Sequence, residues 1–370
     1  MGTITGKYSS LGVFGGVAVQ DPYQINTSNP ASYSNVSSAT HVFETGGQYQ
    51  SIKTSTLDAS EQNKKGMFNG LNFLFRTSKA SSAVVGLTPF STVDYAITSV
   101  KDVAGESTSF AYNGTGGFNK FFIGTSWTIA NNLSLGAHLS YLFGSLKREE
   151  TLLSGQAAGL AIHQRLSARK IILDYGIQYR LKIGDRHSAS VGLVYNMKEV
   201  MTAKNHFAVL NLKQGVPDTL IAKAEKKTFT TPESIGLGLA TTLGQFAISS
   251  DLSFTKWADV GPGYTNALRG RLSFQYYGKR NPESYLDMIS VRAGFSVEEN
   301  YLVIRQTQFL TSCASAAIGF PVARNSGSLI LSYSMLKNGT TDNGLIYERA
   351  HGISIDLVFR DLWGIKRKFD

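Results

Sequence analysis

A chain of 370 residues that is 42% hydrophobic but only 17% charged, with 37 glycines against 8 prolines and 17 Tyr and 21 Phe against 3 Trp, has the make-up of strand-rich structure. The single Cys313 excludes an intramolecular disulfide and a cysteine metal cluster, and no run approaches the roughly 18 consecutive apolar residues that a membrane-spanning helix needs. The net charge of +10 is dispersed, its densest cluster being Lys366-Arg367-Lys368, and a dispersed excess argues against nucleic acid as a partner.

Residues 1–10 carry no charged n-region followed by an apolar h-region, so the sequence predicts that any secretory signal was removed or never present. Gly12-Val13-Phe14-Gly15-Gly16-Val17 and, further on, Asn29-Pro30-Ala31-Ser32-Tyr33 follow. Asn bonds locally and tolerates unusual backbone angles, and Pro fixes its own φ, so Asn29-Pro30-Ala31 reads as a compact turn outside any strand.

From about residue 39 the dominant signal is period-two alternation, sustained for about ten residues at a time, the length of a tilted strand crossing a bilayer. Leu133, Leu135, Ala137, Leu139, Tyr141 and Phe143 oppose Ser134, Gly136, His138 and Ser140. Ile171, Leu173, Tyr175, Ile177, Tyr179, Leu181 and Ile183 oppose Asp174, Gly176, Gln178, Arg180 and Lys182. Leu268, Leu272, Phe274 and Tyr276 oppose Arg269, Arg271, Ser273 and Gln275. Weaker copies near 71–75, 123–129, 189–197, 235–243, 246–254, 289–297, 329–335 and 353–359, with less regular runs, predict about 14 strands. Soluble strands average about 5–6 residues and carry Lys and Glu outward, unlike these. The expected fold is all-β: a transmembrane antiparallel β-barrel in the bacterial outer membrane. Asn131-Asn132 and Gly184-Asp185 read as tight turns, whereas 145–167 and the lysine-rich 198–230 read as long loops.

The Gly-Gly opening, Asn29-Pro30-Ala31 and the strand run that follows resemble the FadL family of outer-membrane transporters for long-chain fatty acids and other hydrophobic compounds. That resemblance implies an N-terminal hatch over 1–38, with Phe14, Gly15, Gly16, Asn29, Pro30 and Ala31 as its gating residues, a barrel over 39–360, and a basic tail or strand end over 361–370. In the run Val85-Gly86-Leu87-Thr88-Pro89-Phe90 the proline cannot donate to a ladder. Pro89 and Gly86 then mark either the strand kink that gives this family a lateral opening, or a turn between two strands. The run 352–359 resembles the closing strand by which barrel-assembly machinery recognises its clients.

Catalytic chemistry finds no support. His41, His138, His163, His187, His206 and His351 lack metal-ligand spacing, there is no Gly-x-Ser-x-Gly elbow, and no cofactor motif appears. His138, Asp174, Arg180, Arg269, Arg271 and Arg292 fall on polar faces and read as a lumen network tying strands to the hatch. The expected activity is passive diffusion of a hydrophobic ligand with lateral exit into the surrounding outer-membrane lipid. The alternative is an adaptor barrel, without transport, that binds protein partners in an outer-membrane assembly or type IX secretion complex, as FadL-like barrels also do. A lumen crossed by charge pairs would favour the second.

Overall fold

The computed structural model describes residues 16–21, 24–36, 40–57, 60–103, 106–154, 158–184, 187–213, 216–279, 281–304, 306–322 and 326–362. Among the described residues, sixteen strands form one antiparallel sheet. They are β1 (Thr40–Ser55), β2 (Ser60–Arg76), β3 (Ser81–Val103), β4 (Glu106–Ala130), β5 (Leu133–Ser154), β6 (Ala158–Ile183), β7 (His187–Asn196) and β8 (Glu199–Lys213), then β9 (Val216–Thr231), β10 (Ser234–Leu243), β11 (Phe246–Thr255), β12 (Ala267–Tyr276), β13 (Ser290–Glu299), β14 (Leu310–Val322), β15 (Gly327–Gly339) and β16 (Tyr347–Leu362).

The sheet closes on itself. β1 pairs with β16 from Thr40 opposite Leu362 to Ser55 opposite Tyr347, and β5 pairs with β6 along 133–154. β7 and β8 form one stave broken at 197–198, and β9 and β10 form another broken at 232–233, because Asn196 faces Ser234 and Glu199 faces Thr231. β6 carries β7 on its second half and β8 on its first. Sixteen strands less these two interruptions leave a closed barrel of 14 staves.

Burial is inverted relative to a soluble protein. Leu139, Ile171 and Leu181 are 52%, 57% and 47% exposed, whereas His138, Ser140 and Gln178 are 1%, 0% and 0% exposed. Apolar side chains turned outward around the ring, with polar ones turned into the lumen, are what a lipid surround demands of alternating strands. At the end where β1 begins and β16 finishes, Asn131 and Asn132 turn between β4 and β5, Gly184 follows β6 and Gly244 follows β10; towards the other end β3 to β6 and the β8–β9 hairpin run on well past the outward apolar rows. The two glycines adopt φ of +67° and +64°, open to them for want of a Cβ. In outer-membrane barrels the longer extensions face outward from the cell, so the end to which β3 to β6 and the β8–β9 hairpin extend is the outer one.

The sequence reading fails in one region. The stretches 145–167 and 198–230 are mostly strand, not loop: β5 and β6 run on to 154 and from 158, and β8 and β9 form a long hairpin. Beyond the lipid the outward face meets water, so its apolar row gives way to residues such as Lys147, Arg165 and Lys204 while the backbone ladder continues. β16 extends past Phe359 to Leu362, and residues 363–370, which carry the basic cluster, lie outside the described residues.

Candidate functional site

Residues 16–21 and 24–36 lie within the barrel, and the turn of 3-10 helix Pro30–Asn35 packs against β3, β4, β5 and β6. Asn29 caps this turn from an extended conformation, its Oδ1 accepting the Ala31 N–H at 2.9 Å. Pro30 follows at the first position, where the missing N–H costs nothing. The Asn29 amide also donates to the carbonyls of Val17 at 2.7 Å, Ile177 at 3.2 Å and Leu193 at 3.4 Å, fastening the turn to β6 and β7. Asn26 donates to Gly16 O and Val19 O, closing the segment on itself. Asn29, Pro30, Ala31 and Gly16 are all buried here. Phe14 and Gly15, the other two expected gating residues, lie outside the described residues.

The wall is recessed to receive this segment. Gly136 and Gly176 face one another across β5 and β6, and Gly192 and Gly238 across β7 and β10. A Cβ on Gly136 would come within 2.4 Å of Ala31 N, and one on Gly176 within 2.8 Å of Pro30 Cδ. A Cβ on Gly192 would lie 2.6 Å from the Val17 carbonyl carbon, and one on Gly238 2.9 Å from Ala18 N. Two cross-strand glycine pairs therefore let the segment's backbone touch the wall's backbone.

The polar residues singled out from sequence divide into two groups. Arg180 donates to Asn35 Oδ1 at 2.5 Å and Gln20 Oε1 at 3.4 Å. Arg292 donates to Gln24 Oε1 at 2.7 Å and lies 3.5 Å from Asp21. Arg271 is 3.5 Å from Asp251, whose Oδ1 accepts the Val17 N–H at 2.8 Å. His138 meets Tyr33 and stands 3.8 Å from Asp174, which is itself 3.7 Å from Lys120. These groups connect wall to segment. Arg269 instead pairs with Glu298 on β13 and touches no described residue of the segment.

Several contributors were not singled out: Glu44, which accepts the Ile25 N–H at 2.8 Å, Gln178, which donates to Val17 O at 2.8 Å, and Asp251. Inward parity was the available signal, clear for Gln178 on a strong strand and weak for Asp251 and Glu44 on less regular ones. Their partners sit in an irregular segment that has no period to read.

The wall beside the segment is incomplete. β2 pairs with β3 only from Leu71 opposite Leu87 to Arg76 opposite Ser82. Beyond that, β2 continues to Ser60 on β1, and β3 continues to Val103 on β4. Gly66 is level with Tyr49, and Tyr49 with Ile353, which belongs to the outward apolar row of β16 and is 58% exposed. Residues 66–70 therefore lack a β3 partner at a height that lipid covers. β3 is continuous across Pro89, so the reading of two strands joined by a turn is set aside. Its ladder with β4 slips between Pro89 and Ser91, the bulge expected where a proline cannot donate. Gly86 lies below the gap, where a Cβ would meet Asn72 Oδ1 and Phe122. Phe90, in the bulge, packs against an apolar cluster on the inner wall that includes Phe118, Leu142, Met201 and Phe229, with the rings of Phe118 and Phe229 6.1 Å apart.

The sequence profile of the BamG family matches residues 4–370. The chain belongs to the BamG family. No curated protein matches the sequence. Among solved structures, this BamG-family chain is similar to a Pseudomonas aeruginosa FadL homologue (TM-score 0.67, 10% identity, 98% of this chain and 99% of that one). It is similar also to the Pseudomonas putida toluene transporter TodX (0.62, 15%, 97% and 98%) and to the CymD monoaromatic hydrocarbon channel (0.61, 14%, 96% and 97%). At these identities the likeness is one of fold. The BamG-family chain is a FadL-like β-barrel of the bacterial outer membrane.

Proposed function

We propose that the barrel is a passive route for a hydrophobic or amphipathic small molecule, with residues 16–21 and 24–36 as a hatch closing the lumen and the gap between β2 and β3 as a lateral exit. The observation that carries this reading is the meeting of that gap with the apolar cluster around Phe90, Phe118 and Phe229. A ligand arriving from outside finds aromatic surface above the hatch. The network of Asn29, Arg180, Asp251 and Arg292 obstructs the direct path to the periplasm, and residues 66–70 leave a way into lipid. The solved channels TodX and CymD share the fold and support the reading by analogy. In a test of uptake of a labelled aromatic hydrocarbon by cells producing the barrel, replacing Phe118 and Phe229 with Ser slows uptake severalfold without loss of folded barrel. Unchanged uptake contradicts the route.

A second reading, a structural barrel within an outer-membrane protein complex, is favoured by the density of bonds fixing the segment across the lumen. It is distinguished by purification in mild detergent without added lipid: stoichiometric protein partners and no bound hydrophobic compound support it over the channel.

A further inference from the structure

We propose that the outer face of β5, β6, β8 and β9, just above the apolar belt, is a binding site for the phosphate groups of a phosphorylated glycolipid in the outer leaflet. Strand parity places the residues. Ile171 and Tyr141 point outward, 57% and 40% exposed, so Phe143 and Arg169, then Ser145 and Ser167, then Lys147 and Arg165 point outward in successive rows. β8 and β9 continue the rows: Ser167 is level with Lys204 and Lys226, and Arg165 with His206. Lys147, Arg165, Arg169, Lys204 and Lys226 are all exposed. Their outward rows contain one described carboxylate, Glu149, on the side away from the membrane. A groove of about 530 Å³ that includes Lys147, Arg165 and His206 in its lining crosses the four strands at this height.

Height identifies the occupant. Arg169 is two residues above Ile171, roughly 7 Å along the strand, and the row of Lys147 and Arg165 roughly 20 Å along it. Strand tilt shortens both heights, so the cluster begins at the headgroup layer, and long basic side chains bend down toward it. Arg presents paired donors to phosphate, and each basic residue near an anionic surface adds about 1 kcal/mol of attraction. Protection of an exposed edge accounts for the lysines of β9, the edge of this extension, but not for Lys147, Arg165, Arg169 or Lys204, which sit on strands paired on both sides or between β6 and β9.

The test uses full-length barrel in detergent micelles with bisphosphorylated lipid A, the same lipid A dephosphorylated, and inorganic phosphate as probes. Lipid A binds at least about tenfold more tightly than its dephosphorylated form, the estimate for a few exposed charges acting together. The variant carrying Lys147→Gln, Arg165→Gln, Arg169→Gln and Lys204→Gln loses that preference while keeping its folded-barrel electrophoretic mobility. A second variant, Lys337→Gln with Lys53→Gln on the far side of the barrel, retains it. Equal binding of both lipids to the native protein overturns the site. So does displacement of lipid A by excess inorganic phosphate alone, which would make the site one for free phosphate.

Discussion

The Tyr33 hydroxyl lies 2.6 Å from Nε2 of His138, joining the centre of the lumen segment to the inner face of β5. Both residues are buried, and Phe122 packs on the same imidazole with ring centroids 4.9 Å apart. Tyr33→Phe removes the bond and leaves His138 Nε2 in a dry site, at a cost of about 1–3 kcal/mol to the docking of the segment. Hydrogen exchange of the amides of Asn29 and residues 31–36 should quicken by one to two orders of magnitude on that estimate. Exchange in β5 should not change; if residues 29–36 stay as protected as before, the bond does not hold the segment.

The paired glycines make a steric prediction. Gly176→Val puts two methyl groups where Asn29 and Pro30 lie against the wall, so the segment must leave its seat. Chymotrypsin in detergent should then cut within the segment, at Tyr33, faster than in the native protein. Gly66→Val, on a glycine with open space around its Cβ position, is the control that should leave proteolysis unchanged.

Asp251 separates charge from hydrogen bonding. Asp251→Asn keeps an acceptor for the Val17 N–H but gives up the ion pair with Arg271, whereas Asp251→Ala loses both. Removing one member of a buried pair costs about 3–5 kcal/mol, more than loss of a single neutral bond. Release of the segment, followed by a fluorophore attached near residue 20, should rank Ala at or above Asn and both above native. Asn indistinguishable from native would show the pair to be dispensable.

Outside the strands, the connection from 277 to 289 has its own pH response. A bond from Lys279 Nζ at 2.9 Å, then the backbone N–H groups of Glu283 and Ser284, hold the Asp287 carboxyl below the usual aspartate range. A depressed folded-state value means the contribution is fully present above the unfolded aspartate value and is lost as pH falls through the folded one. Amide protection at 284–289, taken relative to the intrinsic exchange rate at each pH, should therefore be lost only below about pH 4. Protection already lost at neutral pH would mean that another group controls this turn.

How much of this was readable in the sequence depended on whether the residues sat in a repeating environment. Ile171 to Ile183 alternate because one face meets lipid, so the strands, their direction and the inward parity of His138 and Arg180 could be read directly. Asn29-Pro30-Ala31 was legible as a turn because its chemistry is local. Strands β8 and β9 were not legible: their outward face carries Lys204 and Lys226 in place of an apolar row, so with Lys223 the stretch read as loop. The pairing of Gly136 with Gly176, and of Asp251 with Val17, depends on register and on contacts more than two hundred residues apart in the second case, for which a single sequence has no local signal. The gap between β2 and β3 follows from where pairing stops, and Pro89 marked its neighbourhood without showing its extent.

The central claim is that a hydrophobic compound occupies the inner wall beside that gap. Its most direct test is photolabelling of the purified barrel with a diazirine-bearing aromatic hydrocarbon, followed by peptide mapping. The account predicts labelling at Phe90, Phe118 and Phe229 and at residues 66–70, suppressed by unlabelled compound. Labelling confined to the outward belt, at residues such as Leu139 and Ile171, and unaffected by competitor would contradict it.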